Sequence, residues 1–424
     1  MEHIFVGFGF GPIQGGLFVN EAFRSGNFSR IVLAEIDQAL VDAVRANNGS
    51  YFVNVAKADC IEAVKIDNIE LLNPNNNEHR KILLDALAQS TEIATSLPSV
   101  SFYSTGANNS VAAIIAEGLQ KNTAPATIIY TAENNNRAAE ILEQKVKEKT
   151  ATPPQHRVQY LNTVIGKMSQ VVTDPSKIAQ MKLSPIAPGI KRAFLVEEFN
   201  HILATRCRLE NFRPGIEVFI EKDELIPFEE AKLYGHNAIH ALLAYLGAIK
   251  GYTKMTELKK DAAIMKIAEE AFLNESGASL IRKYSNLGDS LFTQAGYRAY
   301  AEDLLNRITN PYLEDTTARA GRDIVRKLAY NDRIFGTMVV ALSQGIEPPN
   351  MALGAIAGVA ALFNPAWENH LPNEISAEKW QQLSNEEIKN ILLWLWNRKT
   401  DEYTDRIIQL TQQALPRLIP LTVK

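Results

Sequence analysis

His3-Ile-Phe-Val-Gly7-Phe-Gly9-Phe-Gly11-Pro-Ile-Gln-Gly15-Gly16-Leu-Phe18 opens the chain with a short apolar strand that runs straight into a glycine-rich turn and then into a helix beginning at about Gly15. Glycines at a strand-to-helix turn allow a tight bend and close approach of backbone N–H groups to a pyrophosphate, whose charge the helix N-terminus favours. Gly7, Gly9, Gly11 and Gly15 are the candidate contacts. The spacing departs from G-x-G-x-x-G, because Pro12 follows Gly11 and the next glycines are Gly15 and Gly16. The context strengthens it. A second strand, Ile31-Val-Leu-Ala-Glu35-Ile-Asp37, ends on an acid at about the distance at which a carboxylate accepts hydrogen bonds from a ribose diol. Glu35 is the expected residue and Asp37 the alternate; an acid there would repel a 2′-phosphate, which favours NAD over NADP. The same turn also suits another nucleotide, such as S-adenosylmethionine, or none.

Further strand-like segments at Val100–Ser104 and Thr127–Thr131 alternate with helical ones, which predicts parallel βαβ units and a doubly wound sheet. Asn108, after the first of these, is placed to cover a cofactor. The run Asn73-Pro-Asn-Asn-Asn-Glu78 reads as a surface loop. Ala193–Glu198 and Ile216–Glu221 read as strands that close or annex the sheet. After Asp223 strand patterning vanishes and helical periodicity runs to the end, broken at Gly251, Gly288, Asn310-Pro311, Gly345–Asn350 and Asn364-Pro365. The expected fold class is α/β: a Rossmann-like doubly wound domain over residues 1–224, then a mainly α-helical domain over 225–424.

The helical half carries Lys232-Leu-Tyr-Gly-His-Asn237-Ala-Ile-His240. At 100° per residue Asn237 lies about 140°, and His240 about 80°, around the axis from Lys232. That pattern reads either as a proton acceptor beside two hydrogen-bonding groups in one site, or as a solvated helix face. Glu229, one turn before Lys232, is either its partner or an acid at a helix start. Further on, Arg319, Arg322, Arg326 and Arg333 fall within about a 60° arc if their segment is one helix. Four like charges on one face call for an anion, and arginine forks suit phosphate oxygens; acids such as Glu314, Asp315 and Asp323 could serve instead.

The 424 residues carry 46% hydrophobic and 22% charged side chains with a net charge of −4. That composition suits two folded domains and supplies no basic field for nucleic acid or an anionic membrane. Cys60 and Cys207 form no CxxC pair, so no metal site is expected, and two thiols suit a reducing compartment. The N-terminus lacks the pattern of a signal peptide, and the Ala- and Gly-rich run Met351–Phe363 is too short to span a bilayer, so a cytoplasmic protein is expected.

The glycine turn with Ala34-Glu35, the segment Thr131-Ala-Glu-Asn134-Asn-Asn-Arg137, the Lys232–Gly247 stretch and the Pro311–Arg333 region together resemble the polyol-specific long-chain dehydrogenases, the mannitol dehydrogenase family. The resemblance implies zinc-independent, NAD-linked oxidation in which Lys232 takes the hydroxyl proton. Asn134 and Asn237 would hold the developing alkoxide, and His240 would orient the substrate. Arg319 and Lys327 match substrate-contacting positions, and the arginine-rich segment with Arg322 and Arg326 is the version associated with phosphorylated substrates. The expected reaction interconverts a hexitol phosphate and a ketose phosphate, with mannitol 1-phosphate and fructose 6-phosphate first. An unphosphorylated polyol or a uronate is the alternative, and a catalytically idle dinucleotide-binding protein the reading from another class. The implied assembly is a monomer or weak homo-oligomer with a small-molecule substrate. Two departures stand out: Ile165-Gly166-Lys167-Met168 replaces the usual Asp-Arg pair, and the glycine turn is one residue longer.

Overall fold

The computed structural model describes residues 3–150, 156–198, 202–364 and 378–422. The chain divides into two compact units, Met1–Ile226 and Pro227–Lys424.

In the first unit strands β1 (His3–Phe8), β2 (Phe28–Ala34), β5 (Ile69–Leu72), β6 (Glu92–Thr95), β7 (Ala126–Thr131), β8 (Arg157–Val164), β11 (Ile202–Thr205) and β12 (Phe219–Lys222) form one sheet. Its order is β12-β11-β8-β7-β6-β1-β2-β5. Every neighbouring pair is parallel except β8 with β11. Parallel strands covered on both faces need apolar residues on both sides, and Phe5, Val6, Val32, Leu33, Ile128 and Ile129 are all buried. The chain leaves β1 toward β2 and β5 on one side and toward β6, β7 and β8 on the other, so the strand order reverses beside β1. In open α/β sheets that reversal opens a crevice beyond the carboxyl ends of the strands. A second sheet, β4-β3-β10-β9, is built from β3 (Tyr51–Ala56), β4 (Ile61–Ile66), β9 (Ser169–Val172) and β10 (Ala193–Glu197).

One expectation changes here. Val100–Ser104 is a 3-10 turn whose Ser99 side chain accepts from Ser101 N–H; the strand before it is β6, hidden in the sequence by Glu92, Thr95 and the preceding Thr91, which are nonetheless buried. The Asn73–Glu78 run is, as expected, the connection from a strand, β5, to the next helix, Asn77–Leu87, which the Asn76 side chain caps.

In the second unit the described elements are helices. The helix Pro349–Ala361 is buried along nearly its whole length, as its small residues predict. Its N-terminus receives the buried Glu275 carboxylate, which accepts from Asn350 N–H and Met351 N–H at 2.8 Å each. No helix among the described residues is long and apolar enough to cross a membrane.

Candidate active site

The crevice beside β1 holds a cavity of about 570 Å³, lined by Gly9 and Gly11 after β1, Glu35 and Asp37 after β2, and Ser96 and Leu97 after β6. Gly9 has φ +83°, and a Cβ there would lie 2.7 Å from the Ser96 carbonyl oxygen, so both backbone conformation and space demand glycine. A Cβ on Gly11 would meet no atom within 4 Å. It faces open space where a ligand backbone could approach. Gly7 and Gly15 are different: neither lines the cavity, and each lies against the protein's own side chains, Gln14 for Gly7 and Phe194 with Tyr51 for Gly15. The helix after the turn includes a π-helical stretch, Gln14–Val19, which takes up an additional residue inside the helix.

Glu35 Oε2 accepts Phe10 N–H at 2.8 Å, and Oε1 accepts Ile36 N–H at 2.7 Å and Asp37 N–H at 2.9 Å. The carboxylate is thus fixed at the cavity wall with lone pairs to spare. Asp37 is committed elsewhere: it caps the helix Gln38–Ala46 and pairs with Arg192 at 2.6 Å. Asn108 is exposed on a short 3-10 turn, and it is its neighbour Asn109 that lines the cavity. Sequence reasoning passed over Glu133. Its buried carboxylate accepts from Tyr103 Oη, Thr95 Oγ1 at 2.9 Å and Leu97 N–H at 2.9 Å, pinning the loop after β6. Asn134 follows it, exposed after β7.

In the second unit the segment Ala231–Asn237 is π-helical and continues as the α-helix Ala238–Ile249. Residues five apart are hydrogen-bonding neighbours in a π-turn, so Asn237 stacks one turn above Lys232, where an α-helix would have turned it about 140° away. His240, three residues further in the α-helix, lies on the same face as Asn237. The extra residue of the bulge therefore aligns all three, and each is half-buried. Gly235 permits it: a Cβ there would sit 2.7 Å from Tyr297 Oη. Carbonyls loosened by the bulge find outside donors, Thr337 Oγ1 on Tyr234 O at 3.0 Å and Tyr300 Oη on Ala231 O at 3.4 Å. Burial lowers the Lys232 pKa to about 8, with Glu229 raising it and Arg333 lowering it. A lysine so placed is neutral for a large part of the time in mildly alkaline solution.

The single arginine face is not formed. The helix Thr317–Gly321 ends at Arg322, Asp323 takes a left-handed φ of 57°, and separate helices follow at Ile324–Lys327 and Arg333–Ser343. Arg319 Nε binds Asp315 at 2.6 Å, Arg326 lies 3.3 Å from Asp323 and 3.6 Å from Asp332, and Arg333 Nε binds Asp332 at 2.8 Å. Arg322 and Arg326 are exposed. Lys327 is buried; its Nζ donates to Ala320 O at 2.6 Å across the helix break, and burial with Arg333 and Arg326 brings its pKa to about 7. Arg333, the last arginine of the expected face, is the one whose charge acts on both Lys232 and Lys327. His240 Nε2 lies 2.8 Å from Asp315, so one buried carboxylate joins His240 to Arg319. Gly166-Lys167 lie between β8 and β9, next to Met168, whose carbonyl accepts Glu197 N–H and whose N–H donates to the Glu197 carboxylate. Among the described residues no group of three His, Cys, Asp or Glu side chains could hold a metal ion.

Residues 224–399 match the model of the mannitol dehydrogenase C-terminal domain. Those residues, almost all of them in the second unit, carry the likeness to that domain. It is similar to mannitol-1-phosphate 5-dehydrogenase of Buchnera aphidicola subsp. Acyrthosiphon pisum (strain Tuc7), 28% identical over 365 residues that make up 84% of this chain and 85% of the relative. Among solved structures it is similar to Pseudomonas fluorescens mannitol 2-dehydrogenase in a ternary complex with NAD and D-mannitol. That match has a TM-score of 0.67 at 16% identity and covers 99% of this chain and 92% of the other. A D-sorbitol dehydrogenase in substrate-free form matches at a TM-score of 0.74 and 13% identity, covering 99% and 95% of the two chains. These likenesses bear out the expected fold class: a Rossmann-like sheet domain followed by a helical domain. The domain match and these relatives mark the chain as an oxidoreductase.

Proposed function

We propose that the protein catalyses reversible, NAD-linked oxidation of a secondary hydroxyl on a hexitol phosphate, with mannitol 1-phosphate and fructose 6-phosphate the first pair to test. The observation that carries this reading is the π-turn: it puts Lys232, with a pKa lowered to about 8, on one face with Asn237 and His240. The cavity beside β1 fits a dinucleotide, with Gly11 open to a pyrophosphate and Glu35 held ready for a ribose diol. NAD bound there supplies the hydride acceptor. In the oxidation direction Lys232 Nζ takes the hydroxyl proton as the carbon loses hydride, so its neutral form is the active one. The amide of Asn237 donates to the developing alkoxide without competing for the proton. His240 holds a neighbouring substrate hydroxyl. Between Asp315 and Arg333, the cations Arg319, Arg322, Arg326, Lys327 and Arg333 outnumber the carboxylates Asp315, Asp323 and Asp332, which supports an anionic substrate.

The pairing of Arg319, Arg326 and Arg333 with those carboxylates favours a second reading, in which the substrate is an unphosphorylated polyol or a uronate. Measuring NADH-linked reduction of fructose 6-phosphate, fructose, fructuronate and tagaturonate separates the two. The expected result is a kcat/KM for fructose 6-phosphate at least about 10²-fold above that for fructose, the worth of two or more charge-assisted hydrogen bonds to a phosphate. Equal values would transfer the assignment to the second reading, and silence on all four with tight NADH binding would point to a non-catalytic nucleotide-binding protein.

A further inference from the structure

Asp315 is 1% exposed, and its backbone is clamped: Met255 N–H donates to its carbonyl at 3.0 Å, and Thr316 N–H donates to its own Oδ1 at 2.8 Å. Oδ2 meets His240 Nε2 at 2.8 Å while Oδ1 meets Arg319 Nε at 2.6 Å. Burial opposes the charge of Asp315, but the hydrogen bonds from His240 and Arg319 outweigh it and hold the carboxyl well below the usual carboxylate range. Both oxygens are therefore acceptors. An ionised carboxylate has no hydrogen to give, so the hydrogen in the contact with His240 belongs to Nε2. In a neutral imidazole the other nitrogen, Nδ1, is then a bare acceptor.

We infer that Asp315 is a positioning residue that fixes His240 in its Nε2-protonated tautomer, so that His240 meets the substrate as a hydrogen-bond acceptor through Nδ1 and reads a hydroxyl by taking its hydrogen. The inference rests on the reading of His240 as a substrate-orienting group. It assigns the ring a polarity that the residue type alone leaves open, and it couples that polarity to Arg319 through one carboxylate. It also dictates what Asp315→Asn does. An arginine can only donate, so the amide oxygen of Asn must turn to Arg319 and its NH₂ to His240 Nε2. Nε2 becomes the acceptor, the ring hydrogen moves to Nδ1, and the substrate hydroxyl meets a donor where it needs an acceptor. A wrong tautomer in an intact fold is a known way to lose turnover without losing structure.

The test uses the full chain labelled with ¹⁵N-histidine. The resonance of His240 is identified among the 7 histidines by its absence in His240→Gln. In the wild type with NADH bound, the ¹⁵N shifts are expected to show hydrogen on Nε2 and none on Nδ1. Asp315→Asn is expected to reverse that pattern, lower kcat about 10²-fold as a misdirected positioning group does, and leave the NADH Kd unchanged. In the His240→Gln background the same substitution should cost nothing more. Hydrogen on Nδ1 in the wild type, or on both nitrogens, overturns the inference without needing any variant to fold; so does an Asp315→Asn protein with wild-type kcat. His240→Gln with wild-type kcat would instead overturn the assignment of His240 to the site, a separate failure from that of the tautomer.

Discussion

Lys232→Ala is expected to bind NADH as the wild type does and to oxidise its polyol substrate at least about 10³-fold more slowly, within the range that general acid–base catalysis contributes. Lys232 lies in Ala231–Asn237, whose backbone is held by the close fit of Gly235 to Tyr297 and by Thr337 and Tyr300 on the carbonyl side. Burial and the charge of Arg333 then make the neutral amine accessible near pH 8. Alanine removes the acceptor and leaves Asn237 and His240 in place, so what is lost is proton transfer and not substrate orientation. An unchanged melting temperature separates this outcome from misfolding, and an unchanged NADH Kd shows that nucleotide binding, proposed for the first unit, is not what is lost. A Lys232→Ala protein with near wild-type kcat would remove Lys232 from the mechanism.

Gly11→Val is expected to raise the NADH Kd by about 10²-fold or more while leaving the melting temperature near that of the wild type. A Cβ on Gly11 meets nothing within 4 Å, so the fold tolerates a side chain there. A pyrophosphate drawn to the turn does not tolerate it, because close approach to backbone N–H groups is what the site offers. Gly9 supplies the contrast: φ +83° and a Cβ 2.7 Å from Ser96 O mean that a side chain there disturbs the turn itself. Fluorescence titration with NADH beside thermal unfolding distinguishes the two positions. An unchanged Kd for Gly11→Val would show that the nucleotide does not lie over this turn.

The α/β unit was legible where local pattern and topology agree. The first strand, its glycine turn and the Glu35 terminus depend on neighbours in sequence, and Glu35 keeps its place through the Phe10, Ile36 and Asp37 amides. β6 was not legible, because burial of Glu92 and two threonines contradicts what their polarity suggests alone. Nor was the second sheet as a unit, since β3 and β10 are paired across more than a hundred residues of chain. The candidate site was legible as residue types and misjudged as geometry. A step of 100° per residue cannot represent the π-turn, which needs Gly235 to sit against Tyr297 and Phe272, a contact from elsewhere in the fold. It also cannot represent the two breaks, at Arg322-Asp323 and after Lys327, that leave Arg319, Arg326 and Arg333 on three separate helices and Arg322 between the first two. Asp315 was visible only as one acid among several near the arginines. What distinguishes it is burial with two donors, a property of packing.

The central claim is that Lys232 accepts the proton in its neutral form, and the pH dependence of kcat/KM for NAD-linked oxidation of mannitol 1-phosphate tests it most directly. A lysine whose pKa is lowered to about 8 is protonated and inactive below that value and neutral above it. The account predicts a profile that rises about tenfold per pH unit below pH 8, levels off above it, and loses that limb in the residual activity of Lys232→Ala. A flat profile through pH 8, or a limb that persists unchanged in Lys232→Ala, would contradict it.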